Sequence, residues 1–439
     1  MRSWLIRISA GLAFLIVLIV IAGASATSVH GTGSPVRFVT DALPATISTK
    51  TVTVGSGPEN VLYDPANTEV YVGNINSNTV SYVSSTTYVV KTISPEKDPL
   101  ILTYSASNKD VYVENGETKT ISVISSATNK VTHTITLPGT VLTQVYDPAN
   151  GDVYAESLTT TDVFELSDIN HATFALKNVV LPSEAIFAAY DNASTSLVFP
   201  ITGLNEVVAV SSTDVATTVK LKTGLSPEWM VYNPDDKDLY ITDVGSPSSK
   251  TGNVSVLSSA NTIVATIKVG KFPTFGSYDP SNHDIFEVNT GGVTKPYPTS
   301  TVSVIGTSNT VLTTITVGKY AVIASYDPKN SEMYVSCAAS NKTYAISSTT
   351  NKIVGTITTT QYAGASEYDP ALGDMLAAGI SNFVNHSSTA KTIITVIPSS
   401  NTGPSTVTIG PGPLAGAAYD PKDSGFWGAN NGDTVSIIL

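Results

Sequence analysis

The feature that most constrains this chain is a period. A tyrosine followed by a turn stands as Tyr63-Asp64-Pro65, Tyr146-Asp147-Pro148, Tyr278-Asp279-Pro280, Tyr326-Asp327-Pro328, Tyr368-Asp369-Pro370 and Tyr419-Asp420-Pro421, with variants at Tyr104-Ser105-Ala106, Tyr190-Asp191-Asn192 and Tyr232-Asn233-Pro234. These nine markers are separated by 41, 42, 44, 42, 46, 48, 42 and 51 residues. Such a period belongs to repeat architectures in which each unit is too small to bury its apolar face alone and stacks on its neighbours.

Periodicity inside the repeat excludes helical units. Each marker is followed by a short β-rich run, such as Glu69-Val70-Tyr71-Val72, Val111-Tyr112-Val113 or Asp238-Leu239-Tyr240-Ile241, with turn residues before it. A third run follows, as in Ile121-Ser122-Val123-Ile124, Val254-Ser255-Val256-Leu257 and Val302-Ser303-Val304-Ile305. A fourth alternates apolar residues with Thr or Lys and ends on glycine, as from Ile263 to Gly270 and from Val311 to Gly318, the period-2 pattern of a half-buried strand. Four strands in roughly 45 residues make a meander blade, so the fold class is all-β, a β-propeller. The last repeat stops in its third strand, from Thr434 to Leu439, while Lys50-Thr51-Val52-Thr53-Val54-Gly55 carries a fourth-strand pattern ahead of the first marker. The two ends are therefore expected to share a blade, leaving no exposed sheet edge. This gives nine blades over residues 48–439. The third and fourth repeats are degenerate and residues 170–182 form a weak fourth strand, so eight blades plus an irregular insertion is the other count the sequence allows.

Residues 1–26 read as a signal peptide or an N-terminal anchor, and residues 27–47 as a linker. Arg2 and Arg7 precede an apolar run over residues 8–24, and Ala24-Ser25-Ala26 follows as small residues suited to signal peptidase, although the run approaches the length that spans a bilayer. Both readings place the body outside the cytoplasmic membrane, secreted or at the cell surface, with membrane contact only through this segment. Charged residues make up 13% of the chain, too few for a disordered polypeptide. The net charge of -12 and a pI near 4.8 argue against nucleic acid as a partner. One cysteine, Cys337, excludes an internal disulfide, and five histidines offer no Cys/His metal cluster.

Tyr71-Val72-Gly73-Asn74, Tyr112-Val113-Glu114-Asn115 and Tyr240-Ile241-Thr242-Asp243, together with the Gly-Pro that opens the inner strand and the Asn-Thr-Val-Ser-Val third strand, resemble the YVTN-repeat β-propellers. The resemblance covers the chain from about Lys50 to Leu439. It implies a secreted or cell-surface protein, archaeal surface-layer components being among those that look like this, and a ring distantly similar to lactonases, streptogramin lyases and haem-containing reductases. The chain departs from those enzymes: it has no Cys-x-x-Cys-His haem attachment, and no histidine recurs at a blade mouth.

The Asp-Pro turns and their tyrosines read as structural, because Asp before Pro bonds its own backbone and the tyrosine suits a half-buried strand end. Ligand-binding candidates lie on the opposite face, where the second and third strands join and where one blade passes to the next. They are Glu59, Asn60, Glu228, Trp229, Asp243, Asn289 and Tyr297, beside loops enlarged over residues 243–252, 289–300 and 379–391. Outgrown loops are where binding concentrates, and Trp229 with Glu228 offers an aromatic platform and a charge. Against this stands a plainer reading, in which Asn and Asp cap turns and long loops are neutral insertions. Cys337 reads as a buried, inert thiol. Sequons at Asn192, Asn253, Asn341 and Asn385 fit a glycosylated exported protein. The function expected is non-catalytic binding of a cell-surface polymer or protein, or a structural role in a surface lattice, with no cofactor, since no catalytic constellation is legible. The alternative is a divalent-metal-dependent, lactonase-like hydrolase or lyase using Glu59, Glu228, Asp243 and asparagines at the channel mouth as oxygen ligands.

Overall fold

The structure is a computed structural model that describes residues 47–439 apart from 96, 186, 202, 223–225, 246–250, 360–362, 380–390, 402, 412, 413 and 431. Residues 1–26, expected to be a signal peptide or anchor, Asn385 and nearly all of the third enlarged loop lie outside the described residues, as does part of the first. Period-2 alternation and frequent Asn, Asp and Gly turns give what they predict: nine four-stranded antiparallel sheets arranged as the blades of a ring. Blades 1 to 9 occupy residues 58–93, 99–136, 140–181, 189–220, 227–268, 273–319, 321–358, 363–411 and 414–438, the last completed by Thr49–Thr53. The chain is a nine-bladed β-propeller.

Strands are lettered a to d within a blade. The a strands of neighbouring blades touch one another and line the channel, whereas the d strands carry the exposed residues, as in Lys130–Thr136. The hydrophobic core is correspondingly not one mass but nine clusters, each formed by two adjacent blades. In a strand buried on both faces the second-strand sequence has no polar alternation to keep, and Glu69–Asn74 is buried along nearly its whole length.

Closure follows the expected route. Thr49–Thr53 pairs antiparallel with Thr434–Ile438, Thr51 opposite Ser436 and Val52 opposite Val435, and Ser48 and Leu439 exchange backbone hydrogen bonds of 3.0 and 2.9 Å. At this seam the first and last inner strands approach so closely that a Cβ at Gly416 would collide with the Glu59 carbonyl oxygen, which is why a residue without a side chain stands there. Blades 3 and 4, whose repeats are degenerate, are complete all the same. The weak fourth strand is Leu176–Leu181, and blade 4 keeps a shortened a strand, Ala189–Asp191, extended by an isolated bridge between Ala185 and Ile201.

Candidate functional site

Hairpin alternation gives the ring two faces. The lower face carries the a–b and c–d turns, the upper face the b–c and d–a connections. The lower face is where the repeated motif sits, and its hydrogen bonds account for that motif. In eight blades the residue after the marker tyrosine accepts a hydrogen bond from the amide two residues on, at 2.8 to 3.0 Å, from Asp64 with Ala66 to Asp420 with Lys422. This is the Asx turn expected of Asp and Asn at that place.

The same turns bolt each blade to the next. Asn67 donates to the Tyr71 hydroxyl at 2.8 Å and to the Ser126 carbonyl of blade 2 at 3.0 Å, and Tyr71 in turn donates to Asn129. Tyr154 donates to Asp214 at 2.6 Å, Tyr240 to Asn309 at 2.7 Å and Tyr334 to Asn401 at 2.8 Å, each across a seam. Asp327 accepts from Ser399 at 2.8 Å, and Asp279 from Ser348, again in the following blade. Blade 9 has Trp427 in the tyrosine place, stacked on Tyr88 of blade 1 with ring centroids 5.9 Å apart. The lower face is thus occupied by folding chemistry.

On the upper face the asparagines that end the b strands are similarly engaged. Asn74, Asn115, Asn289 and Asn430 are buried, and each donates to a Ser of its own c strand at 2.8 to 3.0 Å. Asn289 therefore holds a b–c turn, and Asn60 accepts the Leu102 amide of blade 2 at 3.3 Å. Asp243 is buried at the corresponding place in blade 5. Cys337 is buried in blade 7, and burial pushes its thiol up to about 12, so it is an inert core group.

Glu59 and Glu228 stand on β-bulges, where the register of the a strand slips between Pro58 and Asn60 and between Pro227 and Trp229. A bulge bends its strand and re-aims one side chain, and both glutamates are half-buried at the upper end of the channel wall. Burial raises the Glu228 carboxyl to about 7. Trp229 beside it is not an open platform. Its ring is sandwiched between Phe187 and Phe275, with centroids 5.1 and 4.3 Å away, and its indole N–H donates to the Gly276 carbonyl at 2.9 Å. The indole stacks on a ring from each neighbouring side, so Trp229 ties the inner strands of blades 5 and 6 to the segment that leads into blade 4.

Tyr297 is half-buried in the enlarged loop of blade 6 and packs on Tyr320 at the start of blade 7, with ring centroids 4.7 Å apart. The base of this loop is fixed. Ser300 donates to the Thr290 carbonyl at 2.9 Å and accepts the Ala321 amide at 3.0 Å, and Thr290 donates to the Ala321 carbonyl at 2.9 Å. The fold thus brings Glu228, Trp229, Asp243, Asn289 and Tyr297 into one sector, blades 5 to 7, while Glu59 and Asn60 in blade 1 stand on the far side of the ring. Of the sequons, Asn192 is exposed on the lower face, and Asn253 and Asn341 are half-buried at the upper one.

Six residues escaped the sequence reading: Tyr320, the Phe187 and Phe275 partners of Trp229, and three buried glutamates, Glu114, Glu156 and Glu287. The glutamates had a signal, an acid inside an apolar second strand, as in Val-Glu-Asn at 113–115. Among the described residues no three His, Cys, Asp or Glu side chains stand together in a way that would hold a metal ion, and no helix is long and apolar enough to cross a membrane.

No family model matches the chain, and no curated protein does. Solved structures do. The Dos1 propeller superimposes with a TM-score of 0.56 at 12% identity, over 89% of this chain and 93% of that one. The dihydro-heme d1 dehydrogenase NirN gives 0.56 at 12% identity, over 82% and 78%, and virginiamycin B lyase from Staphylococcus aureus 0.48 at 12%, over 90% and 99%. Likeness at this identity is likeness of fold, so the chemistry has to be argued from this chain's own residues.

Proposed function

We propose that the chain is an exported propeller of the YVTN-repeat kind that binds a cell-surface polymer or protein through the upper face of blades 5 to 7, without catalysis. One observation carries the reading. The polar residues of the repeat are consumed by turns and seams, whereas Tyr297 rises from a loop that departs from the repeat and whose base is pinned to the next blade, and packs there on Tyr320. Half-buried tyrosines on a rigid support give contact area with little ordering cost and keep a hydroxyl for a hydrogen bond, which suits a glycan or a peptide. Glu228, on the neighbouring bulge, adds an acid.

The test is binding of purified protein to cell-envelope fractions, with the Tyr297→Ala/Tyr320→Ala pair compared with the parent. Binding should fall at least about tenfold, as befits a loss of hot-spot aromatics, and Tyr297→Ala alone should weaken binding with little change in melting, since Tyr320 also packs on the core of blades 6 and 7. Undiminished binding by the double variant would remove this face as the site. A catalytic reading has one observation in its favour, a Glu228 carboxyl held near neutrality at the channel mouth and so poised for general acid–base work. Calcium- or magnesium-dependent melting, together with turnover of a lactone that Glu228→Gln abolishes, would favour that reading.

A further inference from the structure

We propose that this propeller is built to operate in an acidic medium, with the glutamates of its blade seams held as neutral acids, and that neutral-to-alkaline conditions loosen those seams. The first ground is geometric. Glu114, Glu156 and Glu287 are at most 1% exposed and each sits in a b strand between two blades. Among the described residues, Glu114 has an Oε2 buried without a hydrogen-bond partner, and so has Glu156, whose Oε1 accepts the Ala185 amide at the entry to blade 4 at 2.8 Å. Glu287 receives only the Thr242 hydroxyl, at 3.1 and 3.0 Å from its two oxygens. Among the described residues none of the three forms an ion pair. Asp98 acts on Glu114, Glu184 acts on Glu156, and no ionisable neighbour acts on Glu287. A carboxylate buried without a counter-charge is far more costly than a carboxylic acid.

The second ground is how the seams are held. A seam held by Lys–Asp pairs weakens once its carboxylates are protonated. These seams use Asn, Tyr and Ser as donors: some contacts, such as Asn67 to the Ser126 carbonyl, carry no titrating group, and others, such as Tyr154 to Asp214 and Asn129 to Glu69, end on a carboxyl whose C=O still accepts when it is protonated. Asp327 with Ser399 works in either state, because a hydroxyl donates to a carboxylate and accepts from a carboxylic acid. Among the described residues three ion pairs form, two of them through histidine. The lysine pair, Lys177 with Asp214, lies in the seam of blades 3 and 4, where Asp168 is raised by burial and by Asp152 and Asp214, and His171 bonds Asp152 at 2.7 Å. The third ground is composition. Charged residues are 13% of the chain, about half the ~25% of ordinary globular proteins, and Lys and Arg number 23. Few bases mean little positive self-repulsion when the acids are protonated.

The sign follows from burial. The three carboxyls lie at about 8 in the fold against 4.5 when exposed, so the folded state holds more protons between those values and stability falls as pH rises through that window. Each group raises the unfolding constant by up to about tenfold per pH unit there. The experiment is thermal and denaturant unfolding of the whole chain across that window at constant ionic strength, for the parent and the E114Q/E156Q/E287Q variant. Glutamine mimics the neutral acid, so the parent should melt highest at the acid end and decline towards the alkaline end, and the variant should lose most of that slope. A parent whose melting is flat or rises with pH, or a variant that keeps the parent's slope, overturns the proposal. Should the triple variant not fold, the infrared C=O band of protonated carboxyls near neutral pH, compared between the parent and each single Glu→Gln variant that folds, decides: a band that shrinks with E114Q, E156Q or E287Q supports the proposal, and a band that none of them changes overturns it.

Discussion

Trp229 shows how burial alters the meaning of a residue. Read along the chain it is an exposed aromatic at a channel mouth. In the ring it stacks on Phe187 and Phe275 and its N–H is taken by Gly276. Trp229→Ala should therefore cost about 3 kcal/mol, the lower range for emptying an aromatic site, measured by denaturant unfolding, and a variant as stable as the parent would show that the indole is not a tie between these segments. Tyr240→Phe is a gentler case. Its hydroxyl lies 2.7 Å from both Asp236 and Asn309, and deleting it should cost about 1 kcal/mol while leaving the packing intact. The candidate site was legible at this scale only in part. Tyr297 and Glu228 were named from loops and chain position, but Tyr320, Phe187 and Phe275 were not, because nothing in their local sequence separates a mouth residue from a seam residue.

At the scale of the element, the enlarged loop of blade 6 and the strand at the N-terminal end behave oppositely. The loop can be trimmed. Its base is closed by Ser300, Thr290 and Ala321, so replacing residues 292–298 with a short glycine turn should leave the melting temperature nearly unchanged and abolish binding to envelope material. A fall in stability without loss of binding would reverse the assignment. The strand cannot be trimmed. Thr49–Thr53 covers the edge of Thr434–Ile438, and removing residues 48–55 bares that edge at the seam where blade 9 meets blade 1. Such a truncation should aggregate or lose several degrees of melting temperature, as light scattering and calorimetry would show, because an unpaired edge templates intermolecular pairing.

At the scale of the whole molecule, stability is distributed over nine like seams, each with its own apolar cluster. Such an array tolerates irregular members, which is why blade 4 keeps its place with an a strand of only three residues. On the readings proposed above, differences between seams become differences in binding and in response to pH. The seams of blades 2–3, 3–4 and 5–6 contain the buried glutamates, and the sector of blades 5 to 7 contains the enlarged loop and the tyrosine pair.

The repeat, the four strands in each unit, the turn chemistry of Tyr-Asp-Pro and the shared closing blade could all be read without a structure, because they depend on contacts between residues near in sequence or on a period that repeats them. The count of nine needed the fold, since the degenerate repeats are recognisable as blades only by the neighbours they pack against. The site needed it most. Whether Asn289 faces a ligand or a serine of its own blade, whether Trp229 is open or sandwiched, and whether Glu114 is ionised or neutral are decided by residues tens of positions away, and burial between blades is what sets each answer.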